Sequence, residues 1–340
     1  MSEPLNLEDY EVLARERLDE KTWEYFRGGA GDETTLRENR SAFDRWKLRP
    51  RVLVDIGSVD TRTTVLGTEI SSPVLVAPVA MQKLAHPEGE AATARAAATA
   101  GTIMALSTSA SMRPGAVADA APGGARWFQV YVFNDRGVTQ ALIDEACAHG
   151  YSALVLTVDT PILGRREGAL RIGFSIPDNI EVPGDIFEDL DGSVTWRDLE
   201  WLAGHGLPVV LKGVATAEDA RLAVEHGAAA VVVSNHGGRQ LDGVPASIDS
   251  LEEVAEAIDG RAEVLLDSGV RRGVDVLRAL ALGARATLIG RPVVYGLAAA
   301  GEAGVVAVLE LLRREVELGL QLLGCRSPAE VSREHVKWSP

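Results

Sequence analysis

Eight short apolar runs recur along the chain, and amphipathic stretches separate most of them. Most of the runs are nearly continuous in apolar residues, which is typical of parallel strands buried on both faces. The runs cover residues 73–80, 102–108, 127–133, 153–159, 208–214, 229–235, 263–269 and 286–292. Helix-like stretches, each ending near a glycine, lie at 88–100, 136–150, 217–227, 250–260 and 273–283.

Eight strand–helix units predict one α/β domain, a (β/α)₈ TIM barrel, over residues 1–340. We expect N-terminal helices in residues 1–72, the barrel in 73–300 and a C-terminal helical segment in 301–340. A doubly wound open sheet is the alternative that the same alternation permits. The connection after the fourth strand is long, and its residues 167–207 predict an insertion that forms a small lid on the catalytic face.

Composition narrows the function classes. Hydrophobic residues make up 46% of the 340 and charged residues 24%, which excludes a mainly disordered chain. The net charge of −15 argues against nucleic acid or an anionic membrane as a partner. No apolar run reaches ~18 residues, and the N-terminus lacks the apolar core of a signal peptide. Cys147 and Cys325 show no metal-ligand spacing. We therefore expect a cytoplasmic protein without a metal site.

Polar residues interrupt the apolar runs where the predicted strands end, and in a barrel these ends carry the active site. Gln129 and Tyr131 are two residues apart on the third strand, and so are Thr157 and Asp159 on the fourth, so each pair shares a face. A lone polar residue at a strand end is usually a solvated terminus. The repetition of such residues at successive strand ends instead predicts one functional site.

The last two strands are followed by the segments DSGVRRG and IGRP, with glycines and the arginines Arg271 and Arg291. This is the usual phosphate position in such barrels, and arginine can pair with a phosphate through two hydrogen bonds. A phosphorylated ligand or cofactor is therefore expected there. Ordinary glycine-rich turns with solvated arginines are the alternative.

Four residues suggest acid–base chemistry. Lys212 lies in an apolar run and needs an anionic partner if it is buried. His236 is a candidate general base, Asp159 could orient it, and Arg239 could hold a substrate carboxylate. These roles point to proton removal from a carboxylate-bearing substrate, and by themselves they do not identify the electron acceptor.

The motifs APVAMQKLAHPEGE (77–90), LTVDTPILGRRE (156–167), SNHGGRQLDG (234–243) and the long segment 267–298 are specific. Over residues 7–337 the chain resembles the FMN-dependent α-hydroxy acid oxidases and dehydrogenases, the group of glycolate oxidase, lactate oxidase and mandelate dehydrogenase. The resemblance implies FMN as cofactor and oxidation of an (S)-2-hydroxy acid to the 2-oxo acid. It also implies a homo-oligomer, and we expect a tetramer, to which the apolar stretch 301–324 could contribute an interface.

The resemblance assigns roles to individual positions. His236 matches the catalytic base, Asp159 its partner and Tyr131 a substrate-bonding tyrosine. Tyr25, Arg166 and Arg239 match the residues that hold the substrate carboxylate, with Arg165 ranked behind Arg166. Lys212 matches the lysine at the N1–C2 edge of the flavin. The other residues matched to the cofactor site are Pro78, Val79, Ala80, Ser107, Gln129, Thr157, Ser234, Asp267, Gly269, Arg271, Gly290 and Arg291.

Two departures bear on the substrate. Ser109 stands where the glycolate oxidase pattern has tryptophan, and the smaller residue favours a larger, mandelate-like aryl substrate. The insertion is shorter than the family's usual lid by roughly 20 residues. Ser268 replaces a more usual glycine, a change we expect to be tolerated.

Three alternatives to a 2-hydroxy acid oxidase remain open. Ala80 beside the predicted ring site favours reoxidation by O2 with release of H2O2, but a dehydrogenase that uses another electron acceptor is also possible. A different FMN barrel enzyme, which acts on a phosphorylated substrate, would have the phosphate site but would not need Tyr25, Tyr131, Arg166 and the pair of His236 and Arg239. A silent flavin-binding protein would not need His236, Asp159 and Arg239.

Overall fold

The computed structural model describes residues 4–183 and 189–340. Three helices open the chain: α1 (Leu7–Arg17), α2 (Glu20–Arg27) and α3 (Thr34–Ser41). The Asn6 and Asp19 side chains accept hydrogen bonds from backbone N–H groups in the first turns of α1 and α2, so both helices have a side-chain N-cap.

Residues 46–72 depart from the predicted run of N-terminal helices, because they form short strands and loops. Strand β1 (Trp46–Leu48) is followed by the hairpin of β2 (Thr63–Val65) and β3 (Thr68–Ile70). The turn residues Leu66 and Gly67 both have positive φ angles, which suits a tight two-residue hairpin loop. Val65 and Ile70 are fully buried in the cluster that fills the barrel interior, so the hairpin closes one end of the barrel.

Eight parallel strands form a closed barrel, which confirms the predicted fold and rules out the open sheet. Each strand lies within one residue of a predicted apolar run, and β11 pairs with β4 to close the ring. The strands are β4 (Val74–Val76), β5 (Met104–Leu106), β6 (Arg126–Val130), β7 (Leu154–Thr157), β8 (Val209–Val214), β9 (Ala230–Val233), β10 (Glu263–Leu266) and β11 (Ala286–Ile289).

The helices that follow the strands cover the outside of the barrel. The five predicted helices are all present, and α5, an alanine- and glycine-rich segment with little amphipathic pattern, was not predicted. The helices are α4 (Gly89–Thr99), α5 (Pro114–Ala120), α6 (Arg136–Ala148), α7 (Glu167–Arg171), α8 (Asp198–Ala203), α9 (Ala217–Glu225), α10 (Ser247–Ile258), α11 (Gly273–Ala281) and α12 (Arg291–Leu323). A last strand, β12 (Val336–Trp338), pairs antiparallel with β1.

Helix α12 is interrupted at Ala300 and Gly301, whose backbone angles are not helical. By length and composition it could cross a membrane, but 72% of its most apolar window is buried inside the protein. It packs against α1, α4 and α11. This burial accounts for its apolar composition, because a helix enclosed by other helices needs apolar residues on most of its surface.

The insertion after the fourth barrel strand contains the short helices α7 and α8. Leu190 forms an isolated antiparallel bridge with Phe133, and Asp191 accepts a hydrogen bond of 2.9 Å from Arg136. These contacts attach the described part of the insertion to the loop after β6. The predicted lid falls partly on residues 184–188, which lie outside the described residues.

Candidate functional site

The carboxyl ends of the barrel strands and the α2 segment surround one cavity. Every residue that the sequence predicted for the site lines this cavity, except Asp159, Ser234 and the second-ranked Arg165. The lining residues among the predictions are Tyr25, Pro78, Val79, Ala80, Ser107, Ser109, Gln129, Tyr131, Thr157, Arg166, Lys212, His236, Arg239, Asp267, Gly269, Arg271, Gly290 and Arg291. The barrel therefore brings these residues together, although they are spread over most of the chain.

Asp159 and Ser234 lie behind His236 and contact it directly. Asp159 Oδ1 is 2.9 Å from His236 Nδ1, and Ser234 Oγ accepts a 3.0 Å hydrogen bond from the His236 backbone N–H. His236 has a φ of +60°, a left-handed conformation that is strained for a residue with a side chain. Because Nδ1 donates to the carboxylate, Nε2 carries the lone pair and can accept a proton.

The charges around His236 favour its neutral form. Burial lowers the pKa of His236, and the nearby Lys212 charge lowers it further, while Asp159 acts in the opposite direction. Burial alone would raise the pKa of Asp159, but the positive charges of His236 and Lys212 bring it down to about 2. The pair is therefore an ionised carboxylate and a neutral imidazole near neutral pH, which is the state that a general base requires.

Lys212 is almost fully buried, and its ammonium group has no hydrogen-bond partner among the described residues. Asp267 Oδ2 lies 3.6 Å from its Nζ atom. Burial alone would lower the pKa of Lys212, but the carboxylates of Asp267 and Asp159 raise it above its usual value. A buried cation with unused N–H donors at the cavity wall suits an anionic group in the cavity.

A chain of amide and hydroxyl groups crosses the floor of the cavity. Gln129 Oε1 accepts hydrogen bonds from Ser107 Oγ at 3.2 Å and from the Thr108 N–H at 3.1 Å. Gln129 Nε2 donates to Thr157 Oγ1 at 3.0 Å. These bonds fix the orientation of the Gln129 amide. The strand ends of β5, β6 and β7 therefore present ordered donors and acceptors to a ligand.

Arginines form a cationic wall of the same cavity. Arg239 donates to the carbonyls of Tyr25 and Gly28 at 2.8 Å, and its guanidinium lies 5.2 Å from the centre of the Tyr25 ring. Burial and the charges of Arg166 and Arg291 lower the pKa of Arg239. Crowded, desolvated cations are stabilised by an anion, so this wall suits a carboxylate.

The structure distinguishes the two adjacent arginines of the GRRE segment. Arg166 lines the cavity, whereas the Arg165 side chain is 77% exposed and pairs with Glu167 at 3.5 Å. Arg166, which was ranked first, is therefore the one positioned to reach a ligand.

The predicted phosphate end of the cavity is also cationic. Arg271 donates to its neighbour's carbonyl, that of Val270, at 2.9 Å, and burial lowers its pKa. The Arg291 guanidinium donates to the carbonyls of Phe26, Gly28 and Gly237 at 2.9–3.0 Å, and burial lowers its pKa to about 10. Arg291 thus holds the α2 end against the His236 loop. Its contact with a phosphate stays a prediction.

Some lining residues were not predicted. Most are apolar, namely Phe26, Ala77, Leu163, Val270, Leu288, Ile289 and Val294, and Gly237 and Ser268 complete the set. Ser268 has a φ of +73°, and its hydroxyl donates to Asp267 at 2.7 Å and accepts from the Gly237 N–H at 2.9 Å. The apolar residues of this set cannot be predicted from polar strand ends, because apolar positions of a site look like core positions in the sequence. Among the described residues, no cluster of three or more metal-ligating side chains is present.

Residues 14–338 match the FMN-dependent dehydrogenase family. The chain belongs to this family. It is 50% identical to glycolate oxidase of Spinacia oleracea, over 97% of this chain and 95% of that protein. It is 48% identical to L-lactate oxidase of a Nostoc species, over 96% of each. A crystal structure of mandelate oxidase superposes with a TM-score of 0.95 at 42% identity and covers 99% of both chains.

The residues of this FMN-dependent enzyme fit its cofactor. Lys212 provides a buried ammonium that has no hydrogen-bond partner in the described part of the chain, and the Gln129 amide is oriented by its neighbours. Gly269 has a φ of +86°, and a Cβ atom there would lie only 1.9 Å from the Asn39 carbonyl oxygen, so this turn requires glycine. Ser107, Gln129, Thr157 and Lys212 would hold the polar ring edge, and the turn with Arg271 would hold the phosphate.

Proposed function

We propose that this protein oxidises an (S)-2-hydroxy acid to the 2-oxo acid, with His236 as the base and O2 as the final electron acceptor. Its membership of a family of FMN-dependent hydroxy acid oxidases supports the reaction class. The observation that carries the residue assignment is the 2.9 Å pair of His236 and Asp159, which faces a cavity lined by Arg166 and Arg239.

The residues of the site have separate roles in substrate binding and proton transfer. Arg239 and Arg166 bind the substrate carboxylate and so place the carbon that bears the hydroxyl near His236. His236 Nε2 takes the proton that leaves the substrate, from its hydroxyl or its α-carbon, and Asp159 stabilises the imidazolium that results. FMN, when bound, supplies a two-electron acceptor. The Lys212 charge favours negative charge on whatever group lies beside it.

The similar proteins glycolate oxidase, L-lactate oxidase and mandelate oxidase are all oxidases by name, which supports O2 as the electron acceptor. Turnover under air should release one H2O2 for each 2-oxo acid formed. Rapid dye reduction without H2O2 would instead identify a dehydrogenase that uses another acceptor.

We further propose an aryl substrate, because Ser109 leaves space where a bulkier residue would fill the cavity. Ser109 lines the cavity, is fully buried, and its hydroxyl has no hydrogen-bond partner among the described residues. A crystal structure of mandelate oxidase with benzoyl-formic acid resembles this chain with a TM-score of 0.94 at 43% identity.

The test is a panel of 2-hydroxy acids under air and under argon, followed by flavin absorbance and by H2O2 release. Mandelate should give a kcat/KM at least tenfold above that of glycolate, and Ser109→Trp should reverse the preference. Equal kcat/KM for the two acids would contradict the aryl assignment. A flavin that no 2-hydroxy acid bleaches under argon would contradict the reaction itself.

The proposed location of the protein in the cell is the cytoplasm. We place the protein in the cytoplasm, since its two cysteines are free and the buried Cys325 has no disulfide partner. Fractionation of the source cells, with the flavoprotein followed by antibody, tests this location. We also propose a homotetramer.

A further inference from the structure

The turn that carries His236 has a left-handed backbone. His236, Gly237 and Gly238 have successive φ angles of +60°, +65° and +72°. Glycine adopts this region freely, but the conformation is costly for a residue with a side chain. The Gly238 N–H donates to the Asn235 backbone carbonyl at 3.0 Å and to the Asn235 side-chain oxygen at 3.2 Å. Asn235 therefore holds the two ends of the turn together, on either side of His236.

The buried Asn235 side chain uses its full hydrogen-bonding capacity. Its Oδ1 accepts from the Gly238 N–H and, at 2.8 Å, from Asn39 Nδ2. Its Nδ2 donates to Asn39 Oδ1 at 2.8 Å and to the Pro245 carbonyl at 3.1 Å. A carboxamide offers two acceptor sites and two N–H donors, so all four are in use. The orientation of the amide is fixed, because the Gly238 N–H can only donate and the Pro245 carbonyl can only accept.

Asn39 reaches this turn from outside the barrel. It lies on α3, 196 residues before Asn235 in the chain, and is 2% exposed. The two hydrogen bonds between the amides run in opposite directions, so each side chain both donates and accepts. Asn39 Oδ1 also accepts from the N–H of Ser247, the first residue of α10, at 3.4 Å. Loss of the Asn39 amide would leave buried polar atoms of Asn235 unpaired, which is unfavourable.

We propose that Asn39 is a positioning residue for the base and acts through Asn235. The reciprocal amide pair fixes the side chain that closes the left-handed turn. The turn in turn keeps the His236 ring 2.9 Å from Asp159 Oδ1, with Nε2 facing the cavity. A rotated Asn235 side chain would release the turn and move the ring away from its carboxylate. This inference rests on the proposed role of His236.

The test measures kcat and KM of two Asn39 variants. Asn39→Leu removes the amide at similar volume, and Asn39→Ala removes it without adding any atom that could clash. We expect each variant to lower kcat at least tenfold. KM should change less than threefold, because the Arg239 guanidinium is held separately by the carbonyls of Tyr25 and Gly28. A wild-type kcat in either variant would overturn the proposal.

Thr35→Val is the matched control on the same helix. Thr35 is fully buried, and its hydroxyl accepts from the Gly243 N–H at 2.9 Å and donates to the Val244 carbonyl at 3.4 Å. These bonds attach α3 to the connection between β9 and α10, but beyond the turn. Thr35→Val should lower Tm about as much as Asn39→Leu and leave kcat within twofold of the wild type. An equal loss of kcat in both variants would overturn the proposal, since the effect would then come from the packing of α3 in general.

A double-mutant cycle isolates the amide pair. In an Asn235→Leu background the pair no longer exists, so Asn39→Leu should then lower kcat less than twofold. The same tenfold factor in both backgrounds would show that Asn39 does not act through Asn235.

A spectroscopic measurement reads the position of the ring without turnover. In the FMN-loaded enzyme labelled with ¹⁵N-histidine, His236→Asn assigns the His236 signals. Asn39→Leu should shift the Nδ1 signal, because the hydrogen bond to Asp159 changes, and Thr35→Val should not. An unchanged Nδ1 signal in Asn39→Leu overturns the proposal. If the unaltered enzyme oxidised no 2-hydroxy acid, the proposed function would fail, while this signal would still report on the turn.

Discussion

The protonation state of the His236 side chain depends on its burial and on a few charges around it. Asp159 orients its ring and favours its protonated form, whereas burial and Lys212 favour the neutral form. The balance lowers its pKa from the usual value near 6.5. A base with a lowered pKa is neutral, and therefore active, throughout the neutral range.

We predict that kcat/KM is flat near neutral pH and falls as the pH drops through the His236 pKa. Asp159→Asn removes the charge that raises this pKa, so the acidic fall should move to lower pH. The same change removes the stabilisation of the imidazolium, so kcat should fall by about 10²-fold or more. Steady-state kinetics between pH 4.5 and 9 measure both effects. A fall that moves to higher pH in Asp159→Asn would contradict this account.

Gly213 is a second residue whose importance comes from its contacts. Its φ is +113°, and a Cβ atom there would lie 2.7–2.8 Å from the Asp159 side chain and backbone nitrogen. It sits at a register shift between Lys212 and Val214, where β8 bulges against β9. The missing side chain therefore makes room for Asp159 beside Lys212.

We predict that Gly213→Ala lowers kcat by at least tenfold, because Asp159 must move. Gly227→Ala is the matched control, since Gly227 also has a positive φ, of +80°, but no atom within 4 Å of its added Cβ. Both variants should lose about 1–3 kcal/mol of stability to backbone strain. Thermal unfolding and kcat of the two variants provide the comparison, and an equal loss of kcat in both would refute a specific role of Gly213.

Helix α4 connects two loops of the site through one buried carboxylate. Glu90, in the first turn of α4, accepts hydrogen bonds from the Gln82 N–H at 3.0 Å and from the Ser111 N–H at 2.9 Å. The Ser111 hydroxyl adds two contacts of 2.9–3.0 Å. The loop after β4 carries residues 78–80, and the loop after β5 carries Ser107 and Ser109, so Glu90 sets the distance between two walls of the cavity.

We predict that Glu90→Gln lowers stability by about 1–3 kcal/mol, because an amide group presents an N–H to a site that needs acceptors. The affinity for FMN should fall as well, since both loops are predicted to contact the flavin. Glu88→Gln is the control, because the Glu88 side chain is 54% exposed and pairs with Arg95 at the surface. Denaturant unfolding and FMN fluorescence titration measure the two effects. Equal behaviour of the two variants would show that Glu90 does not join the loops.

The protein has a negative net charge, and yet its cavity is cationic. The charge of −15 describes the chain as a whole, whereas Lys212, Arg166, Arg239, Arg271 and Arg291 converge on one cavity. A phosphate and a carboxylate both need such a local field.

An apolar surface patch is the feature that favours self-association. Val52, Leu53, Leu318 and Leu322 are 82%, 103%, 55% and 69% exposed. The Arg51 N–H donates to the Leu323 carbonyl at 2.9 Å, so residues 52 and 53 lie beside the end of α12. Nine residues of the stretch 301–324 are buried, and its exposed large apolar residues, Leu318 and Leu322, lie towards this end. Exposed apolar patches commonly mark interfaces.

We predict that Leu53→Glu shifts the protein from a tetramer to smaller species in size-exclusion chromatography with light scattering. Leu170→Glu is the control, because Leu170 is 60% exposed on α7, outside the patch. A monomeric wild-type protein would refute the tetramer. A tetramer that persists in Leu53→Glu would place its interface elsewhere.

The architecture and most residues of the site follow from local patterns in the sequence. Burial on both faces makes each parallel strand a continuous apolar run, and a polar residue at the end of such a run marks the mouth of the barrel. Both signals lie within short stretches of the chain, so they can be recognised in the amino-acid sequence. Tyr131, Lys212 and His236 were found in this way, and the resemblance to the family added Tyr25 and Arg166.

The residues that support that site are visible only in the folded barrel. Glu90 and Gly213 act through partners that barrel closure brings near, and nothing in the adjacent sequence marks them. Closure also directed Arg166 into the cavity and Arg165 to the surface, although the two are neighbours. It placed Asp159 and Ser234 behind His236 rather than at the cavity wall. Contacts of this kind depend on strand register and loop path, which are properties of the folded barrel and not of any local pattern.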